Sequence, residues 1–245
     1  MKKAISFGAG VNSIAMTIML FKRGEIYPVI FADTMAEHPE TYCYMDYFEK
    51  EFMSKYGQKI VRISARTHPN YYFPRNIRQG IDGLEHFCLT KKMVPLAFMR
   101  SCTADYKIKP LAMWQKENNI DSALIAFAFD ESHRAKNVKG NEGYPLIEKR
   151  ITRKDCLKII EGEGLDRPHK SGCFFCPFQR KSSWERLHKE YPELYNRAEK
   201  MENQSQTTII PAGKSLSILR DSFENQTDMF PDWDFEELEP CMCKL

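Results

Sequence analysis

Along the first half of the chain, short apolar runs alternate with longer stretches whose apolar residues recur at helical spacing. Residues 4–7, 27–32, 59–63 and 122–127 are brief and apolar, which predicts four buried strands. Residues 12–22 carry Ile14, Met16, Ile18 and Leu20, and residues 39–56 carry Tyr44, Tyr47, Phe48 and Phe52. Both stretches, and a third around 111–116, read as helices. Strands alternating with helices specify a parallel sheet covered on both faces. Right-handed crossovers then bring the strand C-termini to one edge, where ligands bind.

The pattern changes near residue 144. A strand-like run at 144–147 precedes a short helix at 153–161 and a Gly/Pro/Cys loop at 164–177. Residues 182–201 read as one long charged amphipathic helix, and 203–208 as a polar linker. The last twenty residues are acidic and aromatic and carry Cys241 and Cys243. The expected fold class is therefore α/β: a doubly wound, mostly parallel, Rossmann-like sheet in residues 1–150. A small helical, cysteine-containing region, 151–245, packs on it.

Composition narrows the function classes. The 245 residues are 42% hydrophobic and 28% charged, with a net charge of +3, which describes a globular chain with ample core. So small a charge excludes a strongly basic nucleic-acid binder on bulk electrostatics but leaves room for a local basic groove. No apolar run approaches a membrane span. Gly8 follows Met1 too closely for a signal-peptide core, so a cytoplasmic protein is expected. Eight cysteines without an export signal favour metal binding or thiol chemistry over disulfides.

Candidate chemistry begins between the first strand and the first helix, at Ser6-Phe7-Gly8-Ala9-Gly10-Val11-Asn12-Ser13. Small residues let backbone N–H groups approach phosphate oxygens. The helix directs its positive end at them, and Ser13 adds a hydroxyl. There is no Walker lysine and no G-x-G-x-x-G spacing, and the same residues also suit a plain tight turn.

The segment resembles the PP-loop, usually Ser-Gly-Gly-x-Asp-Ser, of enzymes that split ATP between the α and β phosphates. Here Gly8, Ala9 and Asn12 stand where that loop has Ser, Gly and Asp, while Gly10 and Ser13 are retained. Phe31-Ala32-Asp33-Thr34 followed by His38-Pro39-Glu40-Thr41 is similar to the second-strand segment of the phosphoadenosine phosphosulfate (PAPS) reductase family. Arg100 through Leu111, Asp130 through Arg134 and Tyr144 through Ile147 resemble further elements of that family, in its order. The resemblance covers roughly residues 4–180.

It implies an adenine nucleotide, ATP or PAPS, bound with Mg²⁺ by Ser6, Gly8, Ala9, Gly10, Asn12, Ser13, Asp33, Thr34 and Arg134. Asp33, Lys107 and Arg134 are the implied catalytic residues; Lys136 and Arg150 are weaker cations of the same kind. His38 and His133 read as surface or capping residues.

Cys173-Phe174-Phe175-Cys176 is a C-x-x-C turn suited to gripping one metal ion or cluster, to forming a redox dithiol, or to simple packing. Cys102 stands where adenylylsulfate reductases have the first of a tandem cysteine pair, and Thr103 replaces the second. Cys156, or alternatively Cys241 and Cys243, would complete the set, while Cys43 and Cys88 read as packing residues. Four thiolates suit Zn²⁺ or a cluster; the resemblance implies a [4Fe-4S] cluster.

Three functions follow. The first is an enzyme that adenylates an acceptor for sulfur transfer or modification, nucleic acid among the candidate acceptors. The second is a sulfonucleotide reductase using a tail cysteine, although the family's Glu-Cys-Gly-x-His tail is missing. The third is a non-catalytic nucleotide-binding protein. No membrane partner is expected, and a homo-oligomer is compatible with the sequence.

Overall fold

A computed structural model describes residues 1–64, 83–137, 141–211 and 213–225, with the side chains of 136 and 137 left aside. Five short strands form one sheet: β1 (Lys3–Ser6), β2 (Val29–Ala32), β3 (Ile60–Ile63), β4 (Ser122–Ile125) and β5 (Glu142–Gly143). Their order is β3-β2-β1-β4-β5, and every pairing is parallel. Ile5 lies opposite Val29 on one side and Leu124 on the other. The chain therefore winds outward in both directions from β1, and the crevice between the C-terminal ends of β1 and β4 is the topological switch point.

Alternate residues of each strand face opposite layers. Ile5, Phe7, Val29, Phe31, Ile60 and Leu124 enter one core with helices α1 (Val11–Lys22), α2 (Pro39–Glu51) and α7 (Arg153–Gly162). Ala4, Ile30, Ala32 and Ile63 face the other side, against Leu111 of α5 (Lys109–Glu117). Phe7 stacks on Phe48 at 5.9 Å, and Phe48 on Phe52 at 5.3 Å. Each such buried ring contributes roughly 1.5–3 kcal/mol. Helix α7 opens on a capping box between Thr152 and Asp155 and packs along α1.

A second core gathers α3 (Gly83–Lys91), α8 (Lys181–Glu190), α9 (Pro192–Gln204) and α10 (Leu216–Glu224) around Trp184 and Tyr195. Buried Glu202 accepts from the backbone of Ile209 and Leu216, fixing the approach to α10. The short α4 (Ser101–Thr103) runs through a π-helical turn, Ala104–Ile108, into α5. No helix among the described residues is long and apolar enough to cross a membrane.

Two expectations are corrected. Residues 144–147 are not a strand: Pro145 opens the short helix α6 (Pro145–Glu148), because proline lacks the N–H a ladder needs and suits a helix's first position. The expected helix 182–201 is two helices, α8 and α9, divided at Tyr191 where Pro192 begins a new first turn. The acidic tail lies outside the described residues.

Candidate nucleotide site and cysteine turn

Strand β1 delivers Phe7 to the ligand edge, where its N–H donates to Ile30 O at 2.8 Å. The chain then turns through Gly8 and through Ala9, held at φ 54°, to Gly10, which caps α1. No side chain caps that helix and its first turn holds no acidic residue. The first-turn N–H groups have no intrahelical acceptor, and the helix dipole adds positive potential there. An anion is the natural complement. Ser13 is buried and its Oγ donates to Gly10 O at 3.0 Å, bracing the loop. Ser6, the last residue of β1, is also buried.

Asn12 reaches into the switch-point crevice. Its Nδ2 donates to Glu131 Oε2 at 2.6 Å, and its Oδ1 accepts from Arg153 at 3.4 Å. The other Glu131 oxygen pairs with Arg134 at 2.6 Å, and the Arg134 guanidinium lies 4.4 Å from the Phe127 ring centroid. Glu131 and Arg134 are both buried. Arg134 is thus linked to Asn12 of the glycine-rich turn through Glu131, and is engaged with that carboxylate. Glu131 lay inside the Asp130–Arg134 segment without a role of its own, and Arg153 carried no signal, because only the fold sets them around Asn12.

The end of β2 forms the adjoining wall. Asp33 Oδ1 accepts from Met35 N at 2.7 Å and Tyr42 Oη at 2.8 Å. Burial nevertheless pushes its carboxyl above the ordinary range, the two hydrogen bonds opposing that shift. Thr34 Oγ1 lies 3.2 Å from Cys173 Sγ and donates to Glu37 Oε1 at 3.1 Å. Lys107, on the π-turn, pairs with the same Glu37 oxygen at 3.1 Å. The expected phosphate lysine is therefore turned toward a buried carboxylate between Thr34 and the cysteine turn. Glu37 is a further residue to which sequence reasoning gave no role. Arg150 is exposed in a left-handed turn, and His133 is exposed.

The cysteine turn is stitched to the loop after β2. Glu37 and Cys173 form an antiparallel bridge, with His38 N donating to Gly172 O at 3.0 Å and Phe174 N to Ala36 O at 2.9 Å. His38, Ser171, Cys173, Cys176, Phe178 and Arg186 line one hollow. His38 is the N-cap of α2 but makes no side-chain cap bond. It is 5% exposed, its Nε2 meets Gln179 Oε1 at 3.0 Å, and its Nδ1 is buried without a hydrogen-bond partner.

The expected four-cysteine set is not assembled. Cys156 is fully buried on α7 in the sheet core, and burial pushes its thiol up to about 12. Cys102 and Cys173 instead flank the second core, where buried Cys88 is likewise pushed up to about 12. Cys43 is exposed. Among the described residues no three His, Cys, Asp or Glu side chains form a group that could hold a metal ion. Cys241 and Cys243 lie outside the described residues.

Two curated relatives, the uncharacterized proteins MJ0973 and MJ0066 of Methanocaldococcus jannaschii, are each 24% identical to the chain, over 207 and 220 residues. The matches cover 78% and 81% of this chain but only 45% and 40% of theirs, so the chain spans less than half the length of these relatives. Among solved structures, one similar chain is the PAPS reductase from Candida auris in a phosphate complex, at 14% identity and TM-score 0.46, over 69% of this chain and 75% of that one. Another is the U34-tRNA thiolase NcsA from Methanococcus maripaludis with its [4Fe-4S] cluster, at 18% identity and TM-score 0.42, over 83% and 71%. Residues 2–97 match the family model of the phosphoadenosine phosphosulfate reductase domain. That matched segment holds the glycine-rich turn and the Asp33 strand end.

Proposed function

We propose that this chain binds ATP at the Gly8–Ser13 turn and cleaves it at the α phosphate to adenylate an acceptor. The observation that carries the reading is the uncapped N-terminus of α1, presented by small residues at the switch point of a parallel sheet. An acceptor oxygen attacks the α phosphorus. The bond to the α–β bridging oxygen breaks, pyrophosphate leaves with that electron pair, and the acceptor's proton passes to solvent.

First-turn N–H groups and Arg134 stabilise the charge that develops on phosphate oxygens. Glu131 orients Arg134 and Asn12 together. Asp33, held by Met35 and Tyr42, is the carboxylate that would hold Mg²⁺, which usually takes one or two carboxylates plus substrate phosphates. Mg²⁺ when bound supplies charge neutralisation of the phosphates. Among the described residues Cys173 and Cys176 supply a pair of thiols, short of the ligand set a cluster or structural zinc requires. The nucleotide chemistry uses neither.

One observation favours a second reading, nucleotide binding without turnover: Lys107 and Arg134, the cations expected at the phosphates, are each paired with a buried carboxylate. Calorimetric titration with ATP, followed by a pyrophosphate-release assay, separates the two. Binding that is lost in Gly8→Asp and accompanied by pyrophosphate release supports the enzyme. Binding without release supports the second reading, and no binding to wild type removes both.

A further inference from the structure

Lys3 opens β1 and Ser122 opens β4, and the two lie opposite each other in register. This is the N-terminal edge of the sheet, the far end of both strands from the glycine-rich turn. Alternation places Lys3 and Ser122 on the same face as Ile5 and Leu124, against α1. There the C-terminal end of α1, the end of β5 and α6 join them around a cavity of about 100 Å³. Its polar lining is Lys3, Arg23, Glu25, Ser122, Glu148 and Lys149. Gly143 also lines it, and a Cβ there would meet Leu124 Cδ2 at 2.8 Å, so the missing side chain leaves room in the wall. A single water needs roughly 10–15 Å³ of such space, so the cavity has room for several waters or for one tetrahedral oxyanion.

The charges around this space do not cancel. Glu25 pairs with Arg23 at 3.3 Å and accepts from Tyr27 Oη at 3.4 Å, and Glu148 Oε1 accepts from Tyr144 N at 3.4 Å. Lys3 and Lys149 have no ion-pair partner among the described residues. Ser122 is 7% exposed, and its hydroxyl likewise has no hydrogen-bond partner among them. That hydroxyl is not sealed from solvent, so it opens on the cavity it lines. Bare carbonyls at the end of α1 would repel an anion, but those of Leu20 and Phe21 already accept from Arg23, Gly24 and Glu25. A hydroxyl donor and uncommitted ammonium groups around one space leave an acceptor wanting.

We infer that this cavity is a binding site for a small tetrahedral oxyanion of the phosphate class, taken as the free ion. Lys3 and Lys149 supply the positive charge, and Ser122 donates to one of the oxygens. The space is that of the ion itself, which favours free phosphate over an ester. The site is separate from the nucleotide reading, because none of its residues belongs to the glycine-rich turn.

A nuclear magnetic resonance titration of the full chain with sodium phosphate, beside sodium chloride at equal ionic strength, tests the assignment. The backbone amides of Lys3, Ser122, Gly143 and Lys149 should shift and saturate with phosphate and not with chloride. Lys149 is exposed, so Lys149→Met keeps the fold; it should weaken the phosphate affinity about tenfold, the scale of one hydrogen bond to a charged group. Ser122→Ala should weaken it in the same sense, and phenyl phosphate should bind wild type more weakly than the free ion. Shifts confined to Gly8–Ser13 overturn the inference, because the ion then sits at the glycine-rich turn. An equal response to chloride overturns it as well, since that is screening alone. So does wild-type affinity in both variants, and phenyl phosphate binding as tightly as phosphate overturns the choice of the free ion. Whether the chain binds ATP is read separately and bears on none of these outcomes.

Discussion

Gln179 Oε1 lies 3.0 Å from His38 Nε2, and Gln179 Nε2 donates to Phe174 O at 2.6 Å. The second bond sets which end of the amide faces the ring, so His38 carries its proton on Nε2 and leaves Nδ1 as a bare lone pair. Burial lowers the His38 pKa, partly opposed by Gln179, Glu40 and Glu37 and reinforced by Arg186. Below the ordinary histidine value of about 6.5 the unfolded chain takes up a proton that the folded one resists, so stability falls as pH drops through that window. The unfolding free energy should therefore decline more steeply between about pH 7 and 5 in wild type than in His38→Gln. Nitrogen-15 spectra should show a neutral Nε2–H ring across the same range. A ring that titrates at the ordinary value contradicts the locked tautomer.

Ala9 holds φ 54° in the cradle, where the PP-loop pattern has glycine. A left-handed non-glycine residue costs roughly 1–2 kcal/mol, and the entropy lost by glycine offsets about 0.5–1 of it. Ala9→Gly should raise the unfolding free energy by up to about 1 kcal/mol in urea titrations. A loss of stability would show that the buried methyl contributes more than the backbone strain costs.

Glu131 and Arg134 form a buried pair that Asn12 completes. Removing one partner of such a pair typically costs about 3–5 kcal/mol, because a charge is left buried. Arg134→Met should lie near that range. The double variant Glu131→Gln/Arg134→Met should be less destabilised than the sum of the two single changes, by about 1 kcal/mol or more. Denaturant titration of all four proteins provides the cycle, and strict additivity would mean that the pair is not coupled.

Cys156 is enclosed by the α1–α7 contact, with its thiol pushed up to about 12. A neutral thiol without access to solvent does not react. Iodoacetamide should modify Cys43 in the native protein and reach Cys156 only after unfolding, as read by peptide mass spectrometry. Labelling of both at one rate would place Cys156 outside the core. Cys156→Ala should also leave any iron or zinc content of the purified protein unchanged.

The fold was largely legible because burial on both faces of a parallel sheet forces short, nearly continuous apolar runs, as in Val29–Ala32 and Ser122–Ile125. The glycine-rich turn was legible for a related reason: a strand end, two glycines and a helix start are consecutive, so their chemistry is local. Proline was the local signal given too little weight, at Pro145 and at Pro192, where a missing N–H decides between strand, helix and break.

What the sequence alone determined was the parallel α/β architecture, the place of the glycine-rich turn between β1 and α1, and the C-x-x-C turn. Only the tertiary structure decided which side chains meet there. It sent Cys156 into the core and turned Lys107 and Arg134 toward Glu37 and Glu131. Such pairings join segments far apart in the chain. Their energies depend on burial and on distances of a few ångströms, which hydrophobic periodicity and residue spacing do not encode.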